Sequence, residues 1–390
     1  MRIFILLSRI PYPLEKGDKL RAFHQIKELS KNNEIILCAL NPLTNVDKQK
    51  AFSTLQPYCR SINFLDLPLW GRVINLTRAF LSHLPLQAGY FYNSKASREI
   101  KRLIEEYKPD HIYCQLIRTA EYVKNFPVKK TIDYQDVFSY GMKRRITTSS
   151  FLLRPFVKME YKRLANYEAR VFDLFDHHTI ISIPDRDLIP HPDRDSIRVI
   201  LNGVDHDFFK PRVTEKKYDV VFTGNMAYPP NVDAAGYLAK EIMPLVWKKL
   251  PKARLLLAGA SPDSRVTALK SDLVNVSGWM DDIRDAYAES KVFIAPMRLG
   301  TGLQNKLLEA MSMKLPCITT TLANNALCAI PDREIMIGET PDTLSTHIIQ
   351  LLQDPTLYQS IAEDGHRFVK KNYDWAQATQ QLEDLLNSTN

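Results

Sequence analysis

The sequence lacks most of the features that would tie a chain of this length to a disulfide frame, a metal cluster or a bilayer. Its five cysteines (Cys38, Cys59, Cys114, Cys317 and Cys328) are odd in number, widely spaced and without a C-x-x-C pair. That pattern suits a reducing compartment and argues against disulfides or a thiolate zinc site. No stretch reaches the length of a membrane span, and the most apolar candidate, from Ile74 to Tyr92, carries Arg78, His83 and Pro85. There is no internal repeat, no low-complexity tract and no recognised nucleic-acid-binding module. The opening Met1-Arg-Ile-Phe-Ile-Leu-Leu7 run is basic, then apolar, but Ser8 and Arg9 break it and no small-residue cleavage site follows. It reads as a buried first strand rather than a signal peptide.

What is present fits a cytoplasmic globular protein. Hydrophobic residues make up 45% and charged residues 25% of 390 residues, a length that suits two domains. Fifty-two Lys and Arg against forty-four Asp and Glu give a formal +8. This excess favours anionic partners such as phosphorylated substrates, acidic lipid surfaces or nucleic acid, and solubility alone also accounts for it.

Short apolar runs alternate with amphipathic ones. Strands are expected at Ile3–Leu7, Ile35–Leu40, Ile62–Leu67, His111–Gln115, Thr131–Tyr134 and Thr179–Ile183. A second series follows at Val220–Thr223, Arg254–Ala258, Val274–Ser277, Val292–Ala295, Cys317–Thr320 and Ile335–Ile337. These runs are continuous rather than alternating, as in parallel strands covered on both faces. The reading is α/β: two doubly wound, Rossmann-like domains facing a central cleft, with ligands at the strand ends. The domains are placed at 1–203 and 204–372, with a helix in 373–390 packing back on the first.

The richest segment is Ala295-Pro-Met-Arg-Leu-Gly-Thr-Gly-Leu-Gln-Asn-Lys-Leu-Leu-Glu309, read as strand, glycine turn and helix over Leu303–Met313. Leu303, Leu307 and Met311 recur every four residues and pack inward. Asn305, Lys306 and Glu309 share another face. Gly300 and Gly302 let backbone approach a ligand, and Thr301 can cap the helix. Free N–H groups there, beside Arg298 and Lys306, suit a diphosphate, and Glu309 can accept from ribose hydroxyls. The plainer alternative is a surface Lys306–Glu309 pair and glycines that merely turn the chain.

Leu308-Glu-Ala-Met-Ser-Met-Lys-Leu-Pro-Cys-Ile-Thr-Thr320 resembles the LEAMA-x-G-x-P-V-V-x-T signature of retaining family 4 glycosyltransferases. Leu201-Asn-Gly-Val-Asp-His-Asp-Phe-Phe-Lys-Pro211 resembles the N-G-V-D-x-x-x-F-x-P link that opens their second domain. Val221–Gly224, Leu255–Gly259 and Val276–Trp279 keep the family's order and spacing. Tyr12-Pro-Leu-Glu-Lys-Gly17 is similar to members acting in exopolysaccharide assembly. The resemblance implies the GT-B fold and a nucleotide-sugar donor, and it makes Glu309 the second acid of the E-x7-E motif. The first acid falls on Thr301, and the family's diphosphate-neutralising Arg and Lys fall on Asn225 and Pro230, which carry no charge. Arg298 and Lys306 are therefore expected to take over that work.

The resemblance also brings Gly17, Gly224 and Leu303 to the donor. Gln115 stands where the family often has a His near the reacting carbon. A neutral amide orients a hydroxyl without acting as a base, which suits retention through the donor's own phosphate oxygen. Asp133 and Asp136 are acceptor-side candidates, with capping or turn roles as the alternative. Lys19 and Arg21 read as solvated surface residues. His177–His178 beside Asp173 and Asp176 match no metal-ligand spacing, and neither metal nor cofactor is expected.

Between Met142 and Arg163, seven Lys and Arg interleave with Phe151, Leu152, Leu153, Phe156 and Val157, which suits either a solvated helix face or peripheral contact with an anionic inner membrane face. The expected function is transfer of a sugar to a glycan or lipid-linked acceptor in surface polysaccharide assembly, without nucleic acid. A nucleotide-sugar epimerase and a non-catalytic sugar-nucleotide binder are the competing readings.

Overall fold

The computed structural model describes residues 1–14, 17–42, 46–82, 84–299 and 302–388. The chain divides into two compact units, Met1–Leu201 with Trp375–Asn390, and Asn202–Asp374.

The first unit is built on seven parallel strands: β1 (Arg2–Leu7), β2 (Glu34–Asn41), β3 (Ser61–Asp66), β4 (His111–Gln115), β5 (Lys129–Asp133), β6 (His177–Ile180) and β7 (Arg198–Val199), ordered β3-β2-β1-β4-β5-β6-β7. The continuous apolar runs follow from burial on both faces. Phe4 and Leu6 join one core with Ile36 and Cys38, whereas Ile3, Ile5 and Leu7 join a second with Ile35 and Leu37. The final helix, Trp375–Asn387, packs on helix Gly17–Leu29: Leu382 and Leu386 enter the second core, Trp375 stacks on His24, and Asn33 donates to Glu383.

The second unit carries β8 (Tyr218–Thr223), β9 (Leu255–Ala258), β10 (Val274–Gly278), β11 (Ser290–Ala295), β12 (Cys317–Thr319) and β13 (Met336–Ile337), all parallel and ordered β10-β9-β8-β11-β12-β13. Strand order therefore reverses between β1 and β4 in one unit and between β8 and β11 in the other. Ligands of open parallel sheets bind outside the carboxyl ends at such a reversal. Among the described residues, no helix is long and apolar enough to cross a membrane.

Two expected helices change their bounds. The run read as Ala234–Leu250 begins earlier, as helix Pro229–Tyr237, passes through a π-turn at Leu238–Ile242 and ends as Met243–Trp247. Pro244, which has no N–H to give the preceding turn, lies just past the irregular stretch. The helix expected from Leu303 instead spans Asn305–Ser312, with Gln304 at its N-cap and no side-chain capping bond. Leu307 and Met311 are buried, but Leu303 precedes the helix and stays partly exposed.

Candidate nucleotide site

In the second unit, the β8–β11 reversal point brings together Gly224, the start of helix Pro229–Tyr237 and helix Asn305–Ser312. Gly224 and Gly259 adopt φ of +151° and +143°. A Cβ on Gly259 would lie 1.8 Å from the Gly224 carbonyl oxygen, and one on Gly224 would lie 3.1 Å from Lys306 Nζ. Only glycine lets the two strand ends meet this closely while the ammonium lies against the turn.

Lys306 Nζ donates to Asn231 Oδ1 at 2.6 Å and lies 4.5 Å from the centre of the Phe222 ring. The residue keeps some solvent access. Even so, desolvation by the surrounding protein lowers its pKa to about 7, against the opposing attraction of Glu309. No ion pair joins Lys306 to Glu309 among the described residues. Glu309 Oε2 instead accepts from the Tyr287 hydroxyl at 2.6 Å. With that proton committed, Tyr287 accepts from Thr223 Oγ1 at 2.8 Å. Burial raises the Glu309 carboxyl above its ordinary range, although the Tyr287 bond and Lys306 pull the other way. Glu309 is thus fixed by β8 and by helix Ile283–Ala288, and its second oxygen has no hydrogen bond among the described residues.

Arg298 is placed differently from the expectation. It forms a two-pronged pair with Asp233, at 2.8 and 3.1 Å, and its guanidinium stacks 4.1 Å over Tyr237. Its charge is already matched by a carboxylate, so Lys306 is the better-placed cation. Asn225 is exposed and closes a local turn, its Oδ1 accepting from Ala227 N. Asn305 Oδ1 accepts from Asn202 Nδ2 at 3.4 Å, and the Gly302 carbonyl accepts from Gln304. Gly300 and Thr301, named as donor-binding and capping residues, lie outside the described residues.

In the first unit, Gly17 is exposed at the first position of its helix. Gln115 is buried at the end of β4 and donates to Gln25 Oε1, which also accepts from the Tyr113 hydroxyl. Asp136 is exposed and accepts from the Val137 N–H at 2.7 Å, a local turn contact. The acceptor-side reading of Asp133 and the surface reading of Arg21 are both corrected. Arg21 and Asp133 are fully buried and paired at 2.7 Å, with Tyr113 and Thr179 also donating to the carboxylate. Arg21 reaches the Ile200 carbonyl as well, so the pair fastens helix Gly17–Leu29 to β5 and the chain beyond β7. Lys19 is likewise buried, donating to the Tyr12 carbonyl. His177 stacks on His111 and His178 on Phe172, and the described residues contain no group of three metal-ligating side chains.

Asn231 and Tyr287 were not singled out in the sequence, and Phe222 and Thr223 enter there only as members of the runs Val220–Thr223 and Val221–Gly224. The Pro229-Pro-Asn231 start of a helix just after a strand was the available signal for Asn231. Nothing in the sequence pairs Tyr287 with Glu309, because that contact depends on how the helix before β11 packs.

The fold is shared with proteins of known structure. The solved structure of sucrose-phosphate synthase from Thermosynechococcus elongatus superposes with a TM-score of 0.70 at 15% identity, covering 99% of this chain and 98% of that one. Anabaena Alr3699/HepE, solved in complex with UDP, gives a TM-score of 0.69 at 14% identity over 99% of both chains. The architecture is the GT-B fold of two Rossmann-like domains. Residues 217–354 match the model of the glycosyl transferases group 1 family. That match lies within the second unit, which there resembles glycosyltransferases. An uncharacterized 44.6 kDa protein of the cps region of Klebsiella pneumoniae is 21% identical over 96% of each chain.

Proposed function

We propose that the chain transfers a sugar, with retention, from a nucleoside-diphosphate sugar to a glycan or lipid-linked acceptor in surface polysaccharide assembly. The observation that carries this reading is the Lys306 ammonium, seated between Asn231 and the Phe222 ring against the Gly224 turn. As the bond to the anomeric carbon lengthens, negative charge grows on the departing diphosphate. A cation at that point, with the N–H groups opening helix Asn305–Ser312, lowers the barrier more than it stabilises bound donor. Glu309, held through one oxygen by Tyr287, has the other to accept from the ribose hydroxyls. Lys306 supplies charge that a divalent ion would otherwise provide, so no metal is required. Gln115 brings no base, which leaves the proton of the acceptor hydroxyl to the departing phosphate oxygen.

The cps-region relative supports the polysaccharide assignment, and the UDP complex of Alr3699/HepE supports a nucleoside diphosphate. Action is cytoplasmic, at the inner membrane face where lipid-linked acceptors are found. A panel of nucleotide sugars tests the donor. At a hundred times its Kd the true donor stabilises the fold by about 2.7 kcal/mol, visible as a raised Tm, and nucleoside diphosphate is released only when acceptor is added. Release or sugar inversion without acceptor would instead indicate hydrolysis or epimerisation.

A further inference from the structure

The net charge of the chain is concentrated in three helices of the first unit: Leu69–Leu81, Phe138–Thr148 and Arg154–Phe172. Together they hold ten Lys and Arg against two Glu, an excess equal to the whole chain's +8. The two acids, Glu160 and Glu168, are both buried, so the outward surface of these helices carries no carboxylate. Arg154, Lys158 and Lys162 recur every four residues and are exposed along one side of the third helix.

The three helices form one assembly. Phe138–Thr148 packs along Arg154–Phe172. Arg163 donates to the Phe80 carbonyl, its guanidinium 5.1 Å from the Phe80 ring centre, and Glu160 accepts from the Leu86 N–H. The turn joining the second and third helices presents Phe151, Leu152 and Leu153, which are 82%, 87% and 58% exposed. Phe156, one turn further on, and Phe80 and Leu81, at the end of the first helix, are exposed as well. Beside them runs a groove of about 1110 Å³, lined by Lys158, Lys162, Arg163 and Arg170 together with Ile146 and Met159. Arg163 Nη1 is buried there without a hydrogen-bond partner among the described residues.

We propose that this surface docks on an anionic phospholipid bilayer, with Phe151, Leu152 and Leu153 entering the acyl boundary and the basic stripe meeting the headgroups. Three adjacent exposed apolar side chains at a helix turn gain little from water or from a nucleic acid. Flanked by bases, they match the cross-section of a charged interface over hydrocarbon. A second copy fits poorly, because a self-complementary contact would set this stripe of bases against its own like charge. The inference deepens the reading of a lipid-linked acceptor, but its test does not depend on turnover.

The full chain is sedimented with vesicles of phosphatidylcholine alone and of phosphatidylcholine with phosphatidylglycerol, at low and raised salt. The wild type binds the anionic vesicles, and salt weakens that binding. Arg154→Gln/Lys158→Gln/Lys162→Gln lowers the partition constant on the order of fivefold for each base removed. Phe151→Ser/Leu152→Ser/Leu153→Ser also abolishes binding, and both variants keep the wild-type Tm and donor binding, as exposed residues that take no part in the nucleotide site should. Soluble glycerophosphate does not compete, because the bilayer and not a free phosphate is the ligand. Equal binding to neutral vesicles, no binding at all, or unchanged binding by either triple variant overturns the proposal. So does a dimer that the serine variant converts to monomer, which would assign the patch to a second copy.

Discussion

A lysine whose pKa has fallen to about 7 holds its proton only in part at neutral pH, and this makes Lys306 a measurable group. Its folded pKa lies below the unfolded value, so between about pH 7 and pH 10.4 the unfolded chain binds the extra proton, and stability rises with pH across that window. Below it, both states are charged and the contribution is flat. A bound diphosphate restores the charge. Donor binding at pH 8 to 9 should therefore take up about one proton, and affinity should fall as pH climbs above 7. Calorimetry in buffers of different ionisation enthalpy reads this uptake, which Lys306→Met should abolish. Lys306→Ala should slow turnover by about two to three orders of magnitude while the fold survives, as expected for a group acting on developing charge. Arg298→Ala should cost turnover far less and stability under about 1 kcal/mol, because its exposed pair with Asp233 already occupies it.

At the scale of elements, paired strand ends and a buried ion pair set the framework. Gly259→Ala drives a methyl into the Gly224 carbonyl, at a backbone angle that L residues rarely adopt. It should destabilise the second domain by about 3 kcal/mol or more, read as a lowered Tm, with donor binding lost in parallel. Asp133→Ala strands Arg21 inside the first domain and should cost about 3–5 kcal/mol in denaturant unfolding. The strands were readable because each is apolar on both sides. So was the shared face of Lys306 and Glu309, which follows from helical spacing. Arg21 was misread because spacing cannot reveal that a helix charge meets Asp133, 112 residues away, in the core. The helix start was misread because Leu303 continues the apolar period through two residues that are not yet helical. Asn231 and Tyr287 were invisible for a related reason: their partners lie 75 and 22 residues away, fixed by packing and not by local pattern.

Across the whole molecule, two sheets of the same winding serve different ends. The second holds a cation and an acid at its point of reversal, and the first carries the chain's entire excess of positive charge on three helices. The charge excess of those helices follows from the sequence, and its outward display follows from the burial of Glu160 and Glu168. The account rests on Lys306 as the counter-charge of a nucleoside diphosphate, and the most direct test is a crystal structure with nucleoside diphosphate bound. It should place a phosphate oxygen within hydrogen-bonding distance of Lys306 Nζ and a ribose hydroxyl on Glu309. A diphosphate bound elsewhere, with Lys306 still donating only to Asn231, would contradict it.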